Sequence, residues 1–313
     1  MPSAAEIRAQ VDRENERRSR LAVPAFAGGF LYLLSAIIIT STLSGLPTVG
    51  PLEGLEPALH GNPKTPVSPR TNEVKFISHH AVTLIAGSVL AAVAIGVLTA
   101  LLLLLFEAAS FRRPASWPHA RPLVLIGGAA VAVAGIAHQV VYAIVTHQFA
   151  LSSNHSIAAV ERALTKGTAN EIVAYLSLLA GLALVVGMIA ILLNSLRVGL
   201  MVRWLAFLGM LAGVLILLPN VGATLELVPA FWLVMMGLLM ARRWPGQPPR
   251  GGDPPAWEAG EARPWPSRSQ MQAGRAGARG RGAPATAVAG ASDAPPAPVR
   301  PEGSSRKRRR KGR

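Results

Sequence analysis

The chain has 313 residues, a formal net charge of +15, 51% hydrophobic residues and only 15% charged ones. Soluble domains of this size carry about 25% charged residues, so the composition argues against a water-soluble fold. Cysteine is absent, which excludes disulfides, thiolate metal sites and cysteine nucleophiles.

Charge is segregated along the chain: the last 72 residues hold 16 of the 31 Lys and Arg residues. That partition marks a membrane body with a solvated appendage. The N-terminal arm, residues 1–23, mixes Arg8, Arg13, Arg17, Arg18 and Arg20 with Glu6, Asp12, Glu14 and Glu16. A lead this long and this acidic, with no A-x-A site after the apolar run, points to a retained helix rather than a cleaved signal peptide.

An α-helix needs about 20 mostly apolar residues to cross a hydrocarbon core roughly 30 Å thick. Six segments meet that demand: Pro24 to Leu43, Ser78 to Phe106, Pro122 to Thr146, Ile172 to Leu193, Gly199 to Leu218 and Val221 to Ala241. The expected fold is therefore all-α, a polytopic transmembrane bundle of six spans over residues 24–241. The last two segments are short and interrupted by Pro219, Glu226 and Pro229, so a re-entrant pair is an open alternative. Small residues at Gly128–Ala132 and Gly209–Gly213 have the spacing that lets helix backbones approach, and packing inside the bundle is the expectation.

The first long loop, Gly45 to Ile77, carries Pro47, Pro51, Pro57, Pro63, Pro66 and Pro69 and reads as an irregular cap. Loop 152–168 reads as containing a short amphipathic helix with Ile157, Val160 and Leu164 on one side. Arg greatly outnumbers Lys, and Ala, Gly and Pro are abundant, a bias expected of a GC-rich bacterial genome, so the glycosylation sequon Asn154-His155-Ser156 is expected to carry no weight. Cations concentrate in the arm, in Arg112, Arg113 and Arg121, in Arg197 and Arg203, and in the tail. The positive-inside bias then places both termini in the cytoplasm of a bacterial plasma membrane, with Trp117, Trp204 and Trp244 at inner boundaries.

From Gly246 the chain is rich in Pro, Gly, Ala and Arg and buries too little apolar surface to fold, so residues 242–313 read as a disordered basic tail. It ends in Arg306, Lys307, Arg308, Arg309, Arg310 and Lys311. Each such cation contributes on the order of 1 kcal/mol near an anionic leaflet. Anionic lipid is thus one expected partner, and a ribosome or nucleic acid bound through phosphates is another. A merely solvated tail is the plainer alternative.

Ionisable groups at membrane depth are costly and mark candidate sites. His79 and His80 open the second span, while His138, Gln139, Tyr142 and His147 close the third. Glu171 opens the fourth span and Glu226 the sixth, so all eight fall toward the outer boundary. Such residues could bind zinc, ligate a haem or relay protons. Against these readings, His, Gln and Tyr are ordinary at hydrated helix ends, and the expectation is no cofactor. No H-E-x-x-H, nucleophile elbow or phosphate-cradling Gly loop is present.

Arg203-Trp204-Leu205 leads into Gly209 and Gly213, followed by Phe231-Trp232, Arg243-Trp244-Pro245-Gly246, Pro254-Pro255-Ala256-Trp257 and Pro264-Trp265-Pro266. This stretch, Leu196 to Trp265, resembles a group of uncharacterised six-helix integral membrane proteins from actinobacteria and related bacteria. The resemblance implies a helix count, a membrane location and a basic tail, and it brings no activity. The expected role is a non-enzymatic scaffold or assembly component; the alternative is a small transporter or a metal- or haem-binding membrane protein.

Overall fold

Ser3 and Glu6 start the first helix by capping each other. The Ser3 N–H donates to the Glu6 carboxylate at 2.6 Å, and the Glu6 N–H donates to Ser3 Oγ at 3.3 Å, satisfying donors that a helix start leaves open. From this box α1 (Ala4–Ser44) runs 41 residues through Pro24 and stops at Gly45. The protein is seen in a computed structural model that describes residues 3–47, 68, 70–114, 117–164, 168–217, 223–244 and 253–265.

Among the described residues the chain is all helix. After α1 come α2 (Thr71–His79), α3 (Ala81–Arg112), α4 (Ala120–Leu151), α5 (Ile157–Leu164), α6 (Thr168–Val198), α7 (Arg203–Leu217), α8 (Ala223–Met240) and the single turn α9 (Ala256–Ala259). Helices α1, α3 and α4, and the stretch Ile157–Val198 that contains α6, are long and apolar enough to cross a membrane. Helices α7 and α8 have 15 and 18 residues. At 1.5 Å per residue they reach about 22 and 27 Å, short of the ~30 Å core.

The helices form a closed ring in chain order: α1 beside α3, then α4, α6, α7 and α8, with α8 returning to α1. Helix α3 also touches α6 across the ring. Its leucines Leu98, Leu101, Leu102 and Leu105 fill the centre with Met188 and Ile191 of α6 and Trp232 of α8. The outward surface is apolar too: Phe30, Ile126, Leu179 and Phe207 are all more than half exposed. A greasy surface over a greasy core is what lipid as solvent permits and water does not.

Glycines fix how closely neighbours approach. A Cβ on Gly127 of α4 would lie 2.6 Å from the Leu184 backbone nitrogen and 3.1 Å from the Ala180 oxygen, and one on Gly187 of α6 would lie 3.1 Å from the Ala120 oxygen. Gly29 faces the Ala230 oxygen at 2.8 Å and Gly237 faces Phe26, so α8 runs antiparallel along α1. Gly209 and Gly213 meet Trp232 and Met188, and Gly128 meets Thr99. All these partners lie within the bundle, as their spacing suggested.

Four features differ from the sequence reading. The loop expected to be irregular contains α2, because its prolines all lie at or before Pro69 and residues 71–79 have neither Pro nor Gly. His80 separates α2 from α3, so the second long helix starts at Ala81 rather than Ser78. The amphipathic α5 is present, but it buries Val160 and Ala163 against Val74 and Phe149, while Ile157 stays 49% exposed.

The fourth concerns the tail. Residues 253–265, expected to be disordered, are ordered against the bundle, with Ala256 and Trp257 fully buried. Composition understated this stretch because two tryptophans and the Pro-Pro-Ala-Trp turn bury enough apolar surface to dock. The terminal cations Arg306 to Lys311 lie outside the described residues.

Gly127→Leu should lower stability by about 1–3 kcal/mol, the cost of overpacking against backbone that cannot yield. Thermal unfolding in detergent measures it. Gly135→Leu, at a position with open space around it, should leave the midpoint in place.

Candidate functional site

Helix α1 projects Glu14 and Arg18 four residues apart, hence on one face, and both are buried, at 3% and 1% exposure. A buried guanidinium must have its charge and donors answered. Arg18 Nη1 and Nη2 donate to the two Asp253 carboxylate oxygens at 3.1 and 2.8 Å, and Nη2 also donates to the Leu239 carbonyl at 2.6 Å. Its Cζ stands 4.3 Å from the centre of the Trp257 ring, a cation–π contact. Burial holds the Arg18 pKa below its ordinary value, an effect that its hydrogen bonds and charge pairing with Asp253 only partly offset.

A second guanidinium completes the arrangement. Arg112, at the end of α3, lies 2.7 Å from Glu14 Oε2 as a fully buried ion pair and 5.6 Å from the Trp257 ring centre. It donates to the Ala256 carbonyl at 2.8 Å and to its own helix at Ala108. Gln10 donates to the other Glu14 oxygen at 3.0 Å. Trp257 thus packs against the charges of two arginines from two helices.

The docked segment also answers backbone groups that the turn between α6 and α7 leaves open. Helix α6 ends at Gly199, whose φ of +86° suits glycine. Trp257 Nε1 donates to the Leu200 carbonyl at 2.9 Å, Trp265 Nε1 to Met201 at 3.1 Å, and the Arg263 N–H to Val198 at 3.0 Å. Gly260, with φ +66°, ends α9 where a side chain would strike Ile7. The result is a clamp at the bundle end where α1 begins: two guanidiniums, two carboxylates and an indole tying α1, α3, the α6–α7 turn and residues 253–265 together.

The sequence-expected cluster lies at the opposite end and in separate pieces. His79 and His80 pack edge to face at 5.3 Å between ring centres, and His80 Nδ1 donates to the Phe76 carbonyl at 2.9 Å. His138 stacks on Tyr142 at 6.1 Å, and Tyr142 is within electrostatic reach of the Arg70–Glu73 ion pair on α2. Glu226 is near Tyr32 of α1 instead. His147 and Glu171 are exposed, while Gln139 is half-buried.

Among the described residues, no hydrogen bond or ion pair joins any two of these eight, and no three His, Asp or Glu side chains group as a metal would need. Sequence reasoning missed the clamp. Its available signals were the i,i+4 spacing of Glu14 and Arg18 and a lone Asp-Pro-Pro-Ala-Trp inside a Pro/Gly-rich stretch.

Comparison with family models, with curated proteins and with solved structures found no match to this chain.

Arg18→Ala leaves the Asp253 carboxylate and the Leu239 carbonyl without their partner. Breaking one side of a buried pair costs about 3–5 kcal/mol, and the melting midpoint in detergent should fall accordingly. Arg18→Lys should recover only part of the loss, because an ammonium lacks the planar fork that spans both Asp253 oxygens. Full recovery by lysine would show that charge alone holds the contact.

Proposed function

We propose that this is a six-span bacterial plasma-membrane protein with both termini cytoplasmic, serving as a non-enzymatic scaffold or assembly component that presents its basic tail to anionic surfaces. The observation that carries the reading is the docking of residues 253–265 by Arg18, Arg112 and Trp257. This contact roots the polybasic chain at the end of the bundle where α1 begins. That end also carries Arg17, Arg20, Arg113, Arg121, Arg203, Arg242 and Arg243, in keeping with the positive-inside bias.

Two further features support it. The ring closes only when α7 and α8 are included, because α8 is the partner of α1, so the last two helices belong to the bundle wall. The clamp itself consists of paired charges that hold residues 253–265 to the bundle. A root fixed a short distance from the headgroups keeps the cationic end of the tail concentrated at the leaflet, where each cation contributes on the order of 1 kcal/mol.

Ending the chain after Trp265 keeps the clamp and removes the polybasic end. Reconstituted beside the full chain, the shortened protein should lose most of its capture of phosphatidylglycerol vesicles while its thermal midpoint stays within about 1 °C, since a solvated tail contributes little to folding. Equal vesicle capture by both proteins would refute the tail's role. Capture of purified ribosomes rather than vesicles would redirect it to nucleic acid.

A further inference from the structure

A groove runs between α1 and α3, with the Glu14 carboxylate, paired to Arg112, in its lining. It has two adjacent chambers whose linings share Arg17, Leu104 and Glu107. One, of about 140 Å³, is polar and is bordered by Gln10 and Arg13; the other, of about 330 Å³, is apolar and is bordered by Leu21, Ala100 and Leu103. Arg20 stands over the apolar chamber.

Both helices pass from charged to apolar sequence at this level. On α1 the last charge is Arg20, before the run that begins at Leu21; on α3 the last apolar residue before Glu107 is Phe106. In a bilayer this is the depth of the phosphate groups, with acyl chains beginning just below.

The charges are unbalanced in a useful direction. Arg17 pairs with Glu107, to which Arg121 also reaches at 3.7 Å; Arg20 pairs with Glu16 and Arg112 with Glu14. With Arg13, five guanidiniums stand against three carboxylates, two positive charges in excess. The Arg17 and Arg20 side chains are 61% and 75% exposed, so their remaining donors are open to a ligand, whereas Arg18 on the next face is sealed.

The geometry points to a binding site for one anionic phospholipid, its phosphate held by Arg17 and Arg20 and its acyl chain laid along Leu21, Ala100, Leu103 and Leu104. A guanidinium suits a phosphate through paired N–H donors, and the apolar chamber continues directly beneath. The chain's own tail cannot occupy the place, because it is cationic like the rim. This inference rests on α1 and α3 crossing the membrane and is independent of the tail's role.

The test uses the full chain in detergent with phosphatidylglycerol or phosphatidylcholine added at equal concentration, and native mass spectrometry to count retained lipid. The wild type should prefer phosphatidylglycerol, and the double variant Arg17→Gln, Arg20→Gln should weaken its retention roughly thirtyfold, the loss expected for two leaflet-facing cations. Phosphatidylcholine retention should not change. Leu103→Trp, which fills the apolar chamber from a lipid-facing position, should reduce retention without lowering the melting midpoint, and it decides the matter if the double variant does not fold. A full chain whose six terminal cations are replaced by Gln should keep the preference. Absence of preference in the wild type, or undiminished retention in Leu103→Trp, overturns the inference.

Discussion

A guanidinium taken out of water must be answered by charge and by acceptors, and Arg18 finds half of that answer outside the helix bundle. Leu239 supplies one carbonyl from α8, but the carboxylate comes from Asp253, in a stretch whose composition belongs to a solvated tail. Burying Arg18 and ordering residues 253–265 are therefore one event. The same holds for Arg112, whose ion pair with Glu14 ties α3 to α1 while its Nε–H donates to the Ala256 carbonyl.

The two ends of the bundle solve different problems. At the end where α1 begins, Glu14, Arg18 and Arg112 are buried and answered by specific partners. At the opposite end, α2 and α5 cover the tip of α4 with a small apolar cluster of Val74, Phe149, Val160 and Ala163. There the described histidines, Tyr142 and Glu171 stay half-buried or exposed. Between the ends, association depends on shape: Gly127 and Gly187 let α4 and α6 meet backbone to backbone, and Gly29 does the same for α1 and α8. Lipid provides little drive for apolar helices to associate, so such close contact must supply it.

Much of this was legible from residue order. The long apolar helices follow from uninterrupted runs such as Ala81 to Phe106, and the packing role of Gly209 and Gly213 from their spacing. Helix α5 was readable from its amphipathic pattern, although its buried face turned toward Ala163 once α2 was there to pack against. The candidate site was not legible. Weighing ionisable residues by predicted depth drew attention to His138, His147, Glu171 and Glu226, which lie apart from one another at the bundle end away from the clamp. Arg18 and Asp253 are 235 positions apart, and nothing in local pattern links them. Each looked like an ordinary solvated charge until the fold brought them together, and Trp257 was hidden by the average composition of its surroundings.

The most direct measurement is amide hydrogen exchange on the full chain in lipid nanodiscs, read across residues 254–263. If Arg18 and Arg112 hold this segment to the bundle, the amides of Trp257, Ala259 and Arg263, which donate to Pro254, Pro255 and Val198, exchange far more slowly than those near the C-terminus. In Arg18→Ala they become fast together. Exchange of these amides within seconds in the unaltered protein, at the rate of a free chain, would contradict the clamp.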